Sequence, residues 1–463
     1  MEWEAKNERS TSPMPYDANQ PTPRRKIAII GSGIAGMSAA WMLNQSHDIT
    51  LFETGDHIGG HSNTVNTGPR HGNIDVDTGF IVYNELNYPN LVALFDFLDV
   101  PTKPSSMTFA ASVDGGAFEY SGTGLNGLLG QRSNLVSRRF WAMLSDVARF
   151  YRSAPKMVDE AQELELTLGA FLAANNYSDA FVRDHILPMG AAIWSTTAQD
   201  MLDYPLAAFV RFFDSHGLLK FADRPQWRTV DGGSIEYVKR LTAPYADRIR
   251  HEGVKRVHRF AKGVELELTS GERASFDEVV IATHADEALA LLAEPNEMES
   301  HLLGAFRYTL NETYLHSDES LMPKRKRVWS SWNYIDDGAA TAGKNLTVTY
   351  WMNELQGIDT AHPLFVTLNP HVMPEASSII RHFSYQHPLF DRNAIAAQRA
   401  LWQMQGQNRT WFCGSYFGYG FHEDALQAGL AVGEELSGKL RPWDTRSHVS
   451  RIHRDMAPAL AAD

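Results

Sequence analysis

One short stretch, Lys26-Ile27-Ala28-Ile29-Ile30-Gly31-Ser32-Gly33-Ile34-Ala35-Gly36, is typical of a buried strand that turns at once into a helix. The β-branched apolar run suits a parallel strand covered on both faces, and Met37 to Leu43 continue it with no helix breaker. Gly31 would permit the tight turn, Gly33 would let two phosphates approach the main chain, and Gly36 would let the helix pack on the strand. The unpaired N–H groups at the start of the helix would then hold the phosphates.

A second strand, Asp48 to Phe52, ends at Glu53. An acid ~20 residues beyond such glycines can hold both ribose hydroxyls and repels a 2′-phosphate. The combination of strand, glycine turn, helix and acid therefore predicts a dinucleotide site, in preference to a glycine-rich turn that binds nothing.

Nucleotide-type elements return in the middle of the chain, at Phe276 to Ala285, and near its end, at Thr410 to Gly429. We therefore expect an α/β fold in which a discontinuous Rossmann-type domain carries an inserted, mixed α+β substrate domain. The predicted segments are a disordered tail (1–24), three nucleotide-binding pieces (25–100, 216–290 and 405–445), two pieces of the inserted domain (101–215 and 291–404) and a C-terminal tail (446–463).

Composition excludes several classes of protein. The 463 residues include 42 Lys and Arg against 55 Asp and Glu, a net charge of −13, so we expect no nucleic-acid partner, which would need clustered cations. The single cysteine, Cys413, excludes an internal disulfide, a CxxC redox centre and a Cys-rich metal site, and we expect it to be buried and inert, with no metal bound. Arg24-Arg25-Lys26 resembles a twin-arginine export signal, but Gly31 and Gly33 interrupt the apolar region that should follow. No apolar run is long enough to span a membrane, and we expect a cytoplasmic protein with peripheral contact to the inner membrane.

These pieces resemble the flavin-containing amine oxidase superfamily, which includes monoamine oxidases, protoporphyrinogen oxidase and phytoene desaturases. The segment Thr54 to Ser62 after the ribose acid, with its paired Gly59-Gly60, carries part of that resemblance. Three further phrases, Asp75 to Asn84, Tyr385 to Pro388 and Gly414 to Asp424, resemble a narrower bacterial group. That group is nearest to the fatty-acyl desaturase of furan fatty acid synthesis and to the flavoprotein domain attached to plant cyclopropane fatty acid synthases.

The resemblance implies FAD, bound non-covalently because Cys413 is not on the stretch that carries covalent flavin in some amine oxidases. His61 stands where those families commonly have an arginine. Asp424 could lie near the flavin or could simply cap its helix, and both interpretations stay open at this stage. The cofactor-binding residues expected are Gly31, Gly33, Ile34, Ala35, Gly36, Glu53, Gly59, Gly60, His61, Thr78, Gly79, Val254, Ala282, Gly414, Ser415, His422, Glu423, Asp424 and Ala425.

Flavin oxidation that forms a C=C bond needs a proton acceptor as well as the flavin. His422 is the first candidate and His387 the second, although either could equally hold loop backbone together. Tyr419 and Tyr83 could relay protons or simply form cavity wall. The lysine that contacts flavin N5 through water in polyamine and monoamine oxidases cannot be matched to a position here.

The resemblance implies oxidation of a methyl-branched or unsaturated fatty-acyl chain of a phospholipid. Large aromatic residues of the inserted blocks would suit an apolar tunnel or an ordinary core. The basic clusters Arg138-Arg139 and Lys324-Arg325-Lys326-Arg327 could meet lipid phosphates or could be solvated loops. The alternatives are an amine oxidase, with Tyr419 and Trp194 beside the ring, and a non-catalytic FAD-binding partner of a lipid methyltransferase.

Overall fold

The computed structural model describes residues 24–194, 197–221, 223–338, 346–444 and 450–454. The predicted N-terminal tail lies outside these ranges except for Arg24, and the predicted C-terminal tail is described only at 450–454. Within the described residues no helix is long and apolar enough to cross a bilayer. The same residues contain no cluster of His, Cys, Asp or Glu that could hold a metal ion.

The strands are numbered in chain order as β1 Lys26–Ile30, β2 Asp48–Phe52, β3 Thr64–Asn66, β4 Asp75–Asp77, β5 Tyr83–Asn84, β6 Thr102–Ser105, β7 Phe109–Val113, β8 Phe118–Ser121, β9 Trp227–Val230, β10 Ile249–Arg250, β11 Val254–Phe260, β12 Gly263–Leu268, β13 Arg273–Phe276, β14 Glu278–Ile281, β15 Arg307–His316, β16 Trp332–Ile335, β17 Thr347–Trp351, β18 Phe365–Leu368, β19 Ile379–Leu389 and β20 Thr410–Phe412.

The α-helices are α1 Ile34–Leu43, α2 Pro89–Phe97, α3 Leu125–Leu128, α4 Arg138–Ser153, α5 Val158–Glu163, α6 Leu168–Ala174, α7 Asp179–Phe181, α8 Leu187–Trp194, α9 Ala198–Leu202, α10 Leu206–Ser215, α11 Ile235–Thr242, α12 Ala285–Leu291, α13 Glu297–Leu303, α14 Met352–Gln356, α15 Arg392–Gln398 and α16 His422–Ser437.

A parallel sheet with the order β10-β2-β1-β14-β20 forms the nucleotide domain. Its strands come from the three chain segments predicted to build this domain, and β1 is central. Every residue of α1 is buried, because the helix lies between the sheet and α16. Two glycines of α16 permit this close approach: a Cβ on Gly429 would lie 2.1 Å from the carbonyl oxygen of Ala35, and one on Gly433 would lie 2.6 Å from the Cβ of Met42.

A second, mixed sheet with the order β19-β15-β18-β17-β16-β7-β8 forms the inserted domain, and α8 packs on it. Strands β7 and β8 come from the first predicted inserted segment, and β15 to β19 come from the second. The two segments therefore share one sheet, which agrees with the predicted α/β fold with a mixed inserted domain.

A small sheet, β5-β9-β6, joins the two domains. Strand β9 pairs with Tyr83-Asn84 on one side and with Thr102–Ser105 on the other. The predicted domain boundary at residue 101 therefore passes through a hydrogen-bonded sheet. The local sequence gives no sign of this pairing, because the partner strand lies more than 120 residues further along the chain.

Candidate functional site

The turn between β1 and α1 has the geometry of a phosphate cradle. Gly31 has a φ of +100°, and a Cβ there would lie 2.9 Å from the carbonyl oxygen of Ala282. A Cβ on Gly33 would meet nothing within 4 Å, so its main chain faces open space. A Cβ on Gly36 would lie 1.9 Å from the carbonyl oxygen of Gly31, so the helix can pack here only on a glycine. These are the three roles that the sequence predicts for the glycines.

Glu53 follows β2 and braces this turn. Its Oε2 accepts hydrogen bonds from the Ser32 N–H at 2.9 Å and from the Ser32 hydroxyl, and its Oε1 accepts from the Gly55 N–H at 2.7 Å. A carboxylate has about four lone-pair sites, so ribose hydroxyls can still bind. Glu53, the predicted ribose acid, and Val254, a predicted cofactor-binding residue, both line the cavity described below.

The second glycine turn lies directly on the first. The Gly59 N–H donates to the Ser32 hydroxyl at 3.2 Å. Gly60 has a φ of +59°, and a Cβ there would lie 3.1 Å from the Cα of Gly33. The two turns therefore form one continuous main-chain surface against the cavity.

His61 lies where the turn meets Thr78-Gly79. A Cβ on Gly79 would lie 2.2 Å from the His61 carbonyl oxygen, and the imidazole lies 5.1 Å from the ring of Tyr385 and 5.5 Å from that of His387. Its buried Nε2 has no hydrogen-bond partner among the described residues. Burial, reinforced by neighbouring imidazoles, places the pKa of His61 well below its usual value, so His61 does not supply the positive charge of an arginine.

The last loop and the start of α16 complete the cavity wall through Gly414, Ser415 and Ala425. Gly414 follows Cys413, which is fully buried as predicted. Burial raises the pKa of the Cys413 thiol, so the reactive thiolate is disfavoured.

Glu423 does not line the cavity, and its carboxylate is not available to a ligand there. Its two oxygens accept hydrogen bonds from the Asn90 main-chain N–H, the Asn90 amide and the Leu91 N–H, at 2.8–3.1 Å. Glu423 thus links α16 to α2 through its carboxylate, and its contact with the cofactor stays a prediction.

Asp424 also stays out of the cavity wall. Its carboxylate accepts from the Phe421 N–H at 2.9 Å and lies 3.4 Å from a guanidinium nitrogen of Arg451. Of the two interpretations of Asp424, helix capping is the one that fits this geometry.

One continuous cavity of about 720 Å³ runs between the two domains, within the size range typical of small-molecule sites. Its charged lining residues, Glu53, Glu252, Lys255 and Glu287, all come from the nucleotide domain. The described lining residues of the inserted domain include no Asp, Glu, Lys or Arg; they are apolar, aromatic or neutral polar, among them Met107, Trp194, Phe212, Trp332, Tyr350, Leu368 and Tyr385.

His422 lines the cavity within a group of buried hydroxyls. Its Nε2 lies 2.7 Å from the Tyr237 hydroxyl and 3.1 Å from the Ser62 hydroxyl. Its ring stacks on Phe80 with the centroids 3.9 Å apart. Burial lowers the pKa of His422 to about 3, which makes it a weak base. This arrangement favours a positioning role over the predicted role of proton acceptor.

His387 lines the cavity, and its tautomer follows from a chain of amides. The Glu312 N–H donates to Asn369 Oδ1 at 3.1 Å, so Asn369 Nδ2 is the donor to Asn311 Oδ1 at 2.8 Å. Asn311 Nδ2 donates to the Thr309 carbonyl at 3.0 Å and also lies 3.2 Å from His387 Nδ1.

Since Asn311 Nδ2 can only donate, His387 Nδ1 must accept, and the ring proton is on Nε2. Burial lowers the pKa of His387 to about 4, so the ring is neutral at pH 7. The Nε2–H group is a donor, and the prediction of His387 as a proton acceptor does not fit this tautomer.

The two tyrosines considered for proton relay lie in different surroundings. Tyr419 lines the cavity, and burial raises the pKa of its hydroxyl. Tyr83 is absent from the cavity lining; it is buried and packs edge-to-face on Phe95 with centroids 5.3 Å apart. Only Tyr419 is therefore placed to meet a bound ligand.

Comparison with protein families identifies the group to which this site belongs. The model of the flavin containing amine oxidoreductase family matches residues 34–354. The chain belongs to this family. Its cofactor is FAD, and it is an FAD-dependent oxidoreductase.

Several solved structures share the fold across nearly the whole chain. Wild-type putrescine oxidase bound to putrescine matches with a TM-score of 0.64 and 14% identity, covering 90% of this chain and 100% of its own. Cyclohexylamine oxidase from Brevibacterium oxydans IH-35A matches with a TM-score of 0.59 and 17% identity, covering 89% of this chain and 100% of its own. The CLA-producing fatty acid isomerase from P. acnes matches with a TM-score of 0.60 and 16% identity, covering 89% of this chain and 98% of its own. No curated protein matches the sequence.

The described residues fit FAD. The open main chain at Gly33 and the start of α1 suit the two phosphates of FAD. Neither glycine turn contains an arginine or a lysine that could neutralise these phosphates. The partial positive charge at the N-terminus of α1 takes that role. The Nε2 of His61 adds a buried polar atom that has no partner among the described residues and that a bound ligand could satisfy.

Several residues of the site could not be identified from the sequence. Asn311 and Asn369 set the His387 tautomer, and Tyr237 and Ser62 hold His422, but each is an ordinary polar residue in its local context. Only Ser62 carried any signal, because it ends the segment Thr54 to Ser62 that carries part of the family resemblance.

Proposed function

We propose that this FAD enzyme oxidises an uncharged, hydrophobic substrate, a methyl-branched or unsaturated fatty-acyl chain of a phospholipid, by removing a hydride and a proton to form a C=C bond. The observation that carries the proposal is the inserted-domain wall of the cavity, in which the described residues contribute no charged side chain. A cationic substrate would have no carboxylate there to replace its lost water, which is costly.

An acyl chain suits this wall for a simple energetic reason. Each buried CH₂ contributes ~0.8 kcal/mol, so a long chain needs no charged anchor. The aromatic side chains Trp194, Phe212 and Trp332 would exclude water around the C–H bond to be broken. Bound FAD supplies the hydride acceptor, and the chain's own residues hold and desolvate the substrate.

Two likenesses support an acyl substrate. Tyr385 to Pro388 and Gly414 to Asp424 resemble the bacterial acyl desaturase group, and both segments contribute to the cavity wall. The P. acnes protein of the same fold is a fatty acid isomerase, so the architecture is compatible with acyl substrates.

The experiment is anaerobic mixing of the yellow protein with candidate substrates while the flavin absorbance is recorded. A methylated or monounsaturated phospholipid should bleach the flavin, and mass spectrometry should find a product two hydrogens lighter. Across a series of acyl chains, the apparent affinity should rise about fourfold per added CH₂ until the cavity is filled. Bleaching by amines but not by lipids would overturn the proposal.

Amine oxidation is the second candidate, and one observation favours it. Phe212 lies 4.9 Å from Trp194 and 6.5 Å from Tyr419, measured between ring centroids. These three rings could surround an uncharged amine. The same bleaching experiment with primary amines tests it, and bleaching by neither class would favour a non-catalytic partner of a lipid methyltransferase.

A further inference from the structure

Four large apolar side chains are exposed within a short part of the inserted domain. Leu125, Leu135, Val136 and Trp141 have exposed fractions of 78%, 49%, 88% and 52%. The Trp141 indole N–H donates to the Leu135 carbonyl at 3.0 Å, which holds the ring beside Leu135 on the surface. Single exposed apolar residues are ordinary, whereas a contiguous group marks an interaction surface.

A basic segment lies beside this apolar group, because both are fixed to Glu119 of β8. The Glu119 N–H donates to Gln131 at 2.7 Å, and its carbonyl accepts from Asn134 at 2.9 Å. Its carboxylate accepts from the Lys324 N–H at 2.7 Å and from the Arg325 guanidinium at 2.7 Å. Residues 125–141 and 324–327 therefore form one surface, here called the basic–apolar surface.

The cations of this surface divide into two groups. Arg139 forms ion pairs with Asp114 and Asp184, and Arg325 forms one with Glu119. The charges of both cations are therefore neutralised within the domain. Lys326 pairs with Glu319 on the outside.

Four other exposed cations of the surface have no ion-pair partner in the part of the chain that the structure describes: Arg132, Arg138, Lys324 and Arg327. The protein as a whole carries a net charge of −13. This surface is therefore locally positive, although the protein as a whole is negative.

We propose that the basic–apolar surface docks the protein on an anionic bilayer. The apolar side chains would enter the boundary between head groups and acyl chains, and the cations would meet lipid phosphates. This inference deepens the proposed function and rests on it for its purpose, because a phospholipid acyl chain must be taken from a bilayer. Docking itself needs no catalysis and is measured separately.

The test is co-sedimentation of the flavin-loaded protein with vesicles of phosphatidylcholine, with and without phosphatidylglycerol. Binding should require the anionic lipid and should weaken in high salt, which screens the charges. Arg138→Gln with Arg327→Gln should lower the partition coefficient about 25-fold, at about fivefold per cation. Leu125→Ser with Val136→Ser should lower it about tenfold or more.

The matched control is Val372→Ser with Met373→Ser, a pair of similarly exposed apolar residues in the loop after β18. This control should bind as the wild type does. Absence of binding to anionic vesicles, or equal binding by both surface variants and wild type, would overturn the proposal. The proposal would also be overturned if the wild type and the control formed a concentration-dependent dimer and the surface variants did not. The surface would then be an interface between two copies of the protein.

Failure of the proposed function would look different. Flavin that lipid never bleaches, in a protein that still binds anionic vesicles through this surface, would end the acyl proposal and leave the docking surface in place.

Discussion

At the scale of single residues, Glu53 makes the clearest prediction about cofactor binding. Glu53→Ala removes the acceptor for Ser32 and Gly55 and for the ribose, and hydrogen bonds to a charged group contribute about 1.5–3 kcal/mol. The Kd for FAD should rise about ten- to a hundredfold in a fluorescence titration of the deflavinated protein. Glu354→Ala, an exposed acid on α14, is the control, and an unchanged Kd for Glu53→Ala would contradict the ribose assignment.

Replacement of His387 is expected to change the midpoint potential of the flavin. Its imidazole lines the cavity, with its ring centroid 5.5 Å from that of His61. A donor beside the ring stabilises the negative charge of reduced flavin. His387→Leu should therefore lower the flavin midpoint potential, whereas His387→Gln, which can keep an N–H donor near the same place, should retain most of it.

Potentiometric titration of both variants checks this prediction. Equal potentials in wild type and His387→Leu would show that the donor does not reach the flavin. Long-range ¹H–¹⁵N spectra of the labelled wild type test the tautomer without any change in activity, because they distinguish the protonated ring nitrogen from the unprotonated one.

The same residues show where the sequence stops being informative. Gly31, Gly33 and Gly36 lie within one six-residue turn between a strand and a helix, so the sequence alone could predict their roles. The role of Glu423 depends on Asn90, 333 positions away, and that of His387 on Asn311, 76 positions away. No local pattern encodes such partners, so the sequence could not show that Asn90 holds the Glu423 carboxylate or which ring nitrogen of His387 carries the proton.

At the scale of elements, the packing of α1 on α16 couples the cofactor site to the core. Gly429→Ala would place a Cβ 2.1 Å from the Ala35 carbonyl oxygen, which must push the two helices apart. Overpacking of this kind costs about 1–3 kcal/mol, and it would displace the helix whose N-terminus is predicted to hold the phosphates. Both the unfolding temperature and the affinity for FAD should fall.

Calorimetry and FAD titration of the same sample check this coupling. Glu435→Ala, on the exposed face of α16, should change neither quantity. A Gly429→Ala protein that is less stable but binds FAD normally would show that the helix contact serves the core alone.

Elements of the nucleotide domain could be predicted because each has its own local signal. Strand β1 was predicted at the bounds observed, and α1 begins within the predicted glycine turn. The sheet β5-β9-β6 could not be predicted, since its strands are two to four residues long and gain their pairing only in the tertiary structure. Strand β9 pairs with strands on both sides of the predicted boundary at residue 101, and no local sequence signal marks this pairing.

At the scale of the whole molecule, buried neutral histidines make folding sensitive to acid. Burial lowers the pKa of His185, His316 and His387 to about 4, and those of His216 and His422 to about 3. Unfolded histidine titrates near 6.5. Between these values the unfolded chain binds more protons than the folded one, so stability is fully present above pH 6.5 and falls as the pH falls toward 4.

His316→Gln and His185→Gln test this sensitivity away from the cavity, because both residues lie outside its lining. At pH 5 each buried histidine should add nearly one proton to the uptake that accompanies unfolding, equivalent to ~1.4 kcal/mol per pH unit. Each variant should therefore take up about one proton fewer than the wild type. The measurement is proton uptake on urea unfolding of the FAD-loaded protein, in which the contribution of flavin release cancels between variant and wild type. Equal uptake in all three proteins would show that these imidazoles are already protonated in the folded state, and the acid sensitivity would then have to come from other groups.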